Sequence, residues 1–126
     1  MVGLCGVQAN SGVASISAHS DVTSNNPVSL MHAVSQGPVA AMMDVDAPGI
    51  EHYKSGIVRK GCGTNPDHSV VIVGYGVAQM VEEGSLSTKV VEYWIVKNSF
   101  GASWGEDGYI RLERNSLTMN KFVGIE

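Results

Sequence analysis

A continuous apolar run in the middle of the chain constrains the fold more than any other feature. "SVVIVGYGV" (residues 69–77) has strand length and is rich in valine and isoleucine. This composition predicts a strand buried on both faces. Two further strands are predicted, "VVEYWIVKNS" (90–99) and "GYIRLER" (108–114), with only loops between the three. Successive strands without an intervening helix predict an antiparallel sheet.

The segment before this run predicts one helix. Asn26 can cap a helix and Pro27 fits its first position, so "PVSLMHAVSQG" is expected to be a short helix that ends at Gly37. Its apolar residues fall on one face: Leu30, Met31 and Val34. Upstream, the alternating, β-branched stretch Val13–Val22 predicts a further strand.

The remaining segments are short. "VAAMMDV" (39–45) predicts a buried strand, and "GIEHYKSGIVR" (49–59) predicts a helical turn and a short strand. The polar stretch 78–89 is expected to be a long surface hairpin loop. The sequence therefore predicts an α+β fold, mostly an antiparallel sheet or barrel with one short helix, in one unit spanning residues 1–126.

Composition excludes several function classes. The 126 residues are 44% hydrophobic and 16% charged, which suits one globular domain. The net charge of −4, without a basic run, argues against nucleic acid as a partner. Gly74 and Gly76 break the longest apolar run well short of the roughly 20 residues that a bilayer-spanning helix needs. The two cysteines lack partners at metal-ligand spacing, and no cofactor is expected.

Chemistry is expected at His68, which stands directly before the apolar run. A histidine between Asp67 and Ser69 at a strand start is more often a structural ring than a catalyst. Asn98, however, ends the next predicted strand and precedes the glycine- and aromatic-rich "SFGASWGEDGYI". An asparagine bonded to the ring would fix its tautomer and leave the other nitrogen facing outward. That is the orienting half of a catalytic triad.

"DHSVVIVGYG" and "YWIVKNSFGASWGEDGYIRLERN" together resemble the C-terminal half of the papain-like cysteine peptidases. Weaker similarity extends upstream to residue 30, so the resemblance covers nearly the whole chain. By position, His68 matches the general base of that family and Asn98 the residue that orients it. The resemblance implies acyl transfer, in which a cysteine thiolate attacks the scissile carbonyl and the imidazolium protonates the leaving amine. It also implies an oxyanion hole formed by a glutamine and a backbone amide.

The nucleophile of this family has no match in the chain. Papain-like peptidases place it roughly 130 to 150 residues before the histidine, whereas only 67 residues precede His68 here. Cys5 and Cys62 resemble structural cysteines of the family instead. The usual partner of the latter is replaced by Val123. The Cys-bearing N-terminal domain is therefore expected to lie outside this chain.

The resemblance also assigns contacts around the site. Met42 and Ser69 are expected to line the pocket for the second substrate side chain from the cut, and a methionine wall makes that pocket apolar and adaptable. Phe100 stands where the family has the tryptophan that covers the Asn–His hydrogen bond, and Trp104 matches the second tryptophan. Together with Asp67, these residues form the predicted substrate-binding set. Other features are expected to be plain: Tyr75, Tyr93 and Tyr109 in the core or hairpins, and solvated Glu82, Glu83, Glu106 and Asp107.

Two functions remain open from the sequence. The chain is either the second domain of a cysteine endopeptidase, or a stand-alone, non-catalytic module that binds peptides or a protein partner. Its expected partners are a peptide or protein substrate, the missing N-terminal domain, and a second copy through the exposed cleft face. The first residues lack the features of a signal peptide. By resemblance, the parent enzyme is expected to be lysosomal, vacuolar or secreted.

Overall fold

The structure of the protein, a computed structural model, describes residues 6, 8, 10–63 and 65–114. Two helices and five strands follow one another along this part of the chain. In order they are α1 (Pro27–Gln36), β1 (Val39–Met43), α2 (Pro48–Glu51), β2 (Ile57–Val58), β3 (His68–Val81), β4 (Thr88–Lys97) and β5 (Tyr109–Glu113).

The five strands form one sheet in the order β1-β3-β4-β5-β2. The pairs β1–β3, β3–β4 and β4–β5 are antiparallel, and only β2 runs parallel to its neighbour β5. Within the described residues the sheet is open, with β1 and β2 at its edges. The predicted α+β class, mostly antiparallel sheet with one short helix, is confirmed, and α2 is a single four-residue turn.

One face of the sheet, together with the two helices, encloses the core. Alternate residues of each strand point to this face, as the two-residue period of a strand requires. Ile72, Val96 and Ile110 are fully buried at its centre on three neighbouring strands. The other members of the core cluster are Val34, Ala41, Met43, Ala47, Ile50, Tyr53, Val70, Trp94 and Leu112.

Helix α1 forms as its sequence predicts. The Asn26 side chain accepts a hydrogen bond from the Ser29 N–H at 3.0 Å, which satisfies one of the free donors of the first turn. Pro27 takes the first position and Gly37 ends the helix. The predicted apolar face is confirmed, because Val34 is buried and Leu30 and Met31 pack against the core.

The strand predicted at Val13–Val22 is wrong. The structure has no strand there, and two of its β-branched side chains point into solvent, with Val13 104% and Ile16 82% exposed. A strand needs a paired neighbour to satisfy its backbone groups. Among the described residues no strand pairs with this segment, so alternation alone does not produce one.

Two expectations for the central hairpin are also corrected. Strand β3 is not buried on both faces, because Val73, Tyr75 and Val77 are 36%, 39% and 61% exposed. The hairpin loop is shorter than the predicted 78–89, because β3 continues to Val81 and β4 already begins at Thr88. Cross-strand pairing extends into the polar stretch because it satisfies backbone groups that a loop would leave to water.

The turn between β4 and β5 depends on a glycine. Gly105 has a φ of +58°, and a Cβ atom there would lie 2.6 Å from the Tyr109 carbonyl oxygen and 3.0 Å from the Tyr53 ring. Gly84 in the hairpin loop also has positive φ, at +82°, but a Cβ atom there would meet nothing within 4 Å. The first position therefore combines backbone strain with a steric clash, and the second has strain alone.

We expect Gly105→Ala to destabilise the chain by clearly more than Gly84→Ala. The backbone penalty for a left-handed alanine is about 1 to 2 kcal/mol at either site, and only Gly105→Ala adds the clash. Urea unfolding followed by tryptophan fluorescence measures both free energies. Equal losses for the two variants would contradict the close approach of the turn to Tyr53.

Candidate active site

His68 is the first residue of β3 and lies opposite Met43 of the edge strand β1. The preceding residue fixes this strand end. The backbone N–H of Asp67 donates to the Met43 carbonyl at 3.1 Å, and its side-chain Oδ1 accepts from the Val45 N–H at 3.0 Å. Asp67 therefore ties the start of β3 to the end of β1, and its predicted contact with substrate stays a prediction.

Asn98 directly follows β4, on the strand next to β3. Its backbone N–H donates to the Gly108 carbonyl at 3.0 Å, so closure of the β4–β5 turn fixes its main chain. Val71 pairs with Lys97, so the next position along β4 places Asn98 opposite Val70. Val70 and His68 are two residues apart and share a face of β3. The two predicted side chains are thus diagonal neighbours on one face.

The side chains of His68 and Asn98 are joined by a hydrogen bond. The distance between His68 Nε2 and Asn98 Oδ1 is 2.8 Å. The same Oδ1 accepts from the Ser99 backbone N–H at 2.7 Å. An amide oxygen only accepts, so Nε2 of the ring carries a proton, and in the neutral form of the ring Nδ1 is the acceptor nitrogen. Within the described chain no hydrogen bond to Nδ1 is present. The two side chains are therefore in contact, and the catalytic roles predicted for them stay predictions.

Two aromatic rings lie beside this pair. The Phe100 ring is 5.3 Å from the His68 ring, centroid to centroid, with 34° between the planes. Trp104 meets Phe100 edge-on at 5.4 Å and 85°. Phe100 remains 45% exposed, whereas Asn98 is only 8% exposed. The phenyl ring therefore flanks the imidazole while the amide lies beneath the surface, where its hydrogen bond meets little competing water.

Met42 and Ser69 lie directly opposite each other in the β1–β3 register. Directly opposite residues point to the same face of a sheet, so these two side chains do emerge together. His68 points to the other face, because successive residues alternate. A substrate that contacts both the His68 ring and these two side chains must therefore pass around the end of the strand. The role of Met42 and Ser69 in binding stays a prediction.

Cys62 is a free thiol that is half-buried and packed against the core. Burial raises its thiol pKa to about 11, and the negative charge of Glu113 adds to that effect. At neutral pH the group is therefore protonated and unsuited to nucleophilic attack. This agrees with its predicted structural role, while Cys5 and Val123 lie outside the described residues.

Glu106 is not a solvated carboxylate as predicted. The Arg111 guanidinium donates to both carboxylate oxygens, at 2.8 Å to Oε2 and 2.6 Å to Oε1. The Gly56 backbone N–H also donates to Oε1 at 2.9 Å. These bonds, with Arg111 first, hold the carboxyl pKa at about 2 despite partial burial. The sequence hid the pair, because its members face each other only after the turn has formed.

No three His, Cys, Asp or Glu side chains in the described parts of the chain lie close enough together to hold a metal ion. The same residues include no helix with the length and apolarity to cross a bilayer. The hydrogen bond between His68 and Asn98 orients an imidazole that is able to transfer protons, beside the exposed Phe100 ring.

Comparisons with known proteins agree with this geometry. The family model described as "Papain family cysteine protease" matches residues 3–126. The chain belongs to the papain family of cysteine proteases. Cysteine proteinase COT44 of Brassica napus is 46% identical over 116 residues, covering 92% of this chain and 32% of that protein. Germination-specific cysteine protease 1 of Arabidopsis thaliana is 45% identical over 84% of this chain and 26% of its own length.

Solved papain-like structures share the fold. Bromelain from Ananas comosus, solved with an inhibitor, gives a TM-score of 0.65 and 38% identity over 82% of this chain and 43% of its own. The proform of the ragweed pollen protease Amb a 11 gives a TM-score of 0.70 and 37% identity, covering 84% of this chain and 27% of its own. The chain therefore spans less than half of each papain-family protein named here.

The Glu106–Arg111 ion pair makes stability depend on pH. The folded carboxyl pKa of about 2 lies below its ordinary value of 4.5, so the ionised form is favoured in the folded state. The contribution is complete above about pH 5 and is lost as the pH falls toward 2. We expect Glu106→Gln to lower the free energy of unfolding by roughly 1 to 3 kcal/mol at pH 6, and the gap to shrink below pH 4.5.

Urea titrations between pH 6 and pH 3 measure this gap. Glu83→Gln is the matched control, because Glu83 is exposed and its substitution should change little at any pH. A constant difference between Glu106→Gln and the unchanged chain across this range would contradict the assignment.

Proposed function

We propose that this chain supplies the general base and its orienting residue to a cysteine-type endopeptidase that hydrolyses peptide bonds by acyl transfer. The observation that carries the proposal is the hydrogen bond between His68 Nε2 and Asn98 Oδ1, with the Ser99 N–H fixing the orientation of the amide. Because Nε2 is hydrogen-bonded to Asn98, Nδ1 is the ring nitrogen that remains available to a thiol in this proposal.

The proposed reaction uses that nitrogen twice. Nδ1 of His68 takes the proton of a cysteine thiol, and the sulfur attacks the scissile carbonyl carbon. The resulting imidazolium remains hydrogen-bonded to Asn98 through Nε2. It then gives its proton to the leaving amine, which breaks the peptide C–N bond and leaves a thioester. Water, deprotonated by the ring, hydrolyses the thioester and regenerates the thiol.

The thiol comes from a second domain in this proposal. The raised pKa of Cys62 and its packing against the core argue against that residue as the nucleophile. The chain covers only 32% of the Brassica napus relative, which leaves room in such a protein for a Cys-bearing half. His68 and Asn98 then form one wall of a cleft between two domains.

The substrate pocket is proposed at Met42 and Ser69. Their side chains share a face at the strand end beside His68, and Ser69 is exposed while Met42 is half-buried. An unbranched thioether adapts to apolar side chains of different shapes. We therefore infer a preference for an apolar residue at the second position before the cut.

A chimera tests the proposed catalytic role. The region of the Brassica napus proteinase that aligns with this chain is replaced by this chain, so that the chimera contains a complete papain-like protein. We expect it to cleave peptide substrates. His68→Ala should lower kcat/KM by roughly a hundred- to ten-thousand-fold, and Asn98→Ala by about ten- to a hundred-fold, because the ring loses its fixed tautomer.

His32→Ala is the matched control, because His32 is exposed on α1 and has no contact with the site; its activity should be unchanged. A folded chimera that binds peptides without cleaving them would favour the non-catalytic binding module instead. Full activity of the His68→Ala chimera would refute the assignment of the base.

We also infer that the chain associates through its exposed apolar surface. The hairpin end of the sheet carries Val77, Val81 and Val90, which are 61%, 66% and 60% exposed. The cleft end near His68 exposes Phe100 at 45%. Exposed apolar clusters mark surfaces that bind a partner, so the missing domain or a second copy is the expected occupant.

Light scattering over a concentration series should therefore show self-association of the isolated chain. Replacing Val77 and Val81 by threonine should weaken it if the hairpin end is the contact, and Phe100→Ser should weaken it if the cleft end is. A monomer at all concentrations would count against both surfaces.

A further inference from the structure

Four aromatic rings lie in series from the core to the proposed general base. The Tyr53 and Trp104 ring centroids are 5.6 Å apart. Trp104 contacts Phe100 at 5.4 Å, and Phe100 contacts His68 at 5.3 Å. All three separations lie within the range in which aromatic rings attract each other through edge and offset contacts. The series links Tyr53 to the imidazole of His68 through two intermediate rings.

Tyr53 is the anchored end of the series. It is 6% exposed, and its hydroxyl donates to the Gly56 carbonyl at 2.6 Å. The Arg111 backbone N–H approaches the same hydroxyl at 3.4 Å. The Gly56 N–H in turn donates to Glu106, which is held by the Arg111 guanidinium. The ring is therefore fixed at its hydroxyl end by the same ion-paired cluster that closes the β4–β5 turn.

Phe100 is the most exposed ring of the series. Its ring is 45% exposed, so burial does not hold it in place beside the imidazole. Among the described aromatic rings, Phe100 contacts Trp104 edge-on as well as His68. Trp104 is itself half-buried and packs against the core through Tyr53. The position of the ring that flanks His68 thus depends on Tyr53 through one intermediate.

We propose that Tyr53 is a positioning residue for His68, acting through Trp104 and Phe100 to keep water away from the His68–Asn98 hydrogen bond. The expected effect of Tyr53 on catalysis rests on the proposed function. The expected effect of Tyr53 on the His68 ring does not. When the anchored ring is removed, Trp104 loses its backing and Phe100 moves from the imidazole. Water then reaches Nε2–H and competes with Asn98 Oδ1.

The hydrogen exchange of His68 Nε2–H with water measures this directly in the 126-residue chain, with histidine labelled by nitrogen-15. We expect Tyr53→Leu, which fills the core without a ring, to accelerate the exchange by at least tenfold. Tyr53→Phe keeps the ring and loses only the anchoring hydroxyl, so it should accelerate the exchange less than Tyr53→Leu does. His19, His32 and His52, all exposed, serve as references within the same spectrum and should not change.

Loss of global stability could also accelerate exchange, so a matched core variant is required. Leu112→Ala removes buried volume at a position that is 1% exposed and outside the ring series. Leu112→Ala should destabilise the chain. When it is compared with Tyr53→Leu under conditions in which both variants have the same free energy of unfolding, its His68 Nε2–H should exchange more slowly. Glu106→Gln keeps every ring and loosens only the anchor, and it should give an intermediate acceleration even if Tyr53→Leu does not fold.

The proposal is overturned if His68 Nε2–H exchanges no faster in Tyr53→Leu than in Leu112→Ala at matched stability. If Tyr53→Leu does not fold, the same comparison is made with Glu106→Gln. In the active chimera, Tyr53→Leu should lower kcat several-fold with little change in KM, and Leu112→Ala should leave both nearly unchanged. If the chimera without point substitutions is inactive, the proposed function is refuted. The exchange measurement on the 126-residue chain still decides the role of Tyr53.

Discussion

A one-residue irregularity in β3 places the proposed base and its partner on the same side of the sheet. Beyond it, Gly74 pairs with Ile95; before it, Ile72 pairs with Val96, so the register shifts by one across residue 73. If the register of Gly74 and Ile95 continued without this bulge, Asn98 would lie opposite Val71. The side chain of Val71 points to the face opposite that of His68. A single-residue slip turns every side chain to the opposite face. The hydrogen bond between the ring and the amide therefore depends on the bulge.

The sequence predicts those features whose cause is local. Asn26, Pro27 and Gly37 define helix α1 through capping and backbone preference, and the apolar runs define the central strands. The contact of His68 with Asn98 was predicted from two strand ends and from a family resemblance. The segment Val13–Val22 failed because alternation describes what a strand needs from its side chains and not whether a neighbour is present to pair with it.

Contacts that depend on three-dimensional closure were out of reach of the sequence. Glu106 and Arg111 are five residues apart, and nothing in "EDGYIR" distinguishes a clamped carboxylate from a solvated one. The turn with Gly105 in a left-handed conformation brings the Glu106 carboxylate to the Arg111 guanidinium and to the Gly56 N–H. The role of Tyr53 was hidden for the same reason, since its ring meets Trp104 across 51 positions of sequence. Long-range packing decides such contacts, whereas local preference does not.

The pairing of β2 with β5 also has a kinetic consequence. Ile57 and Val58 lie beside Arg111 and Leu112, so 54 positions of chain must be made and folded back before this edge closes. The β3–β4 hairpin needs only a six-residue connection between Val81 and Thr88. Loop-closure entropy favours the nearer contact first. During synthesis, the hairpin can therefore pair early, whereas the parallel edge is among the last contacts to form.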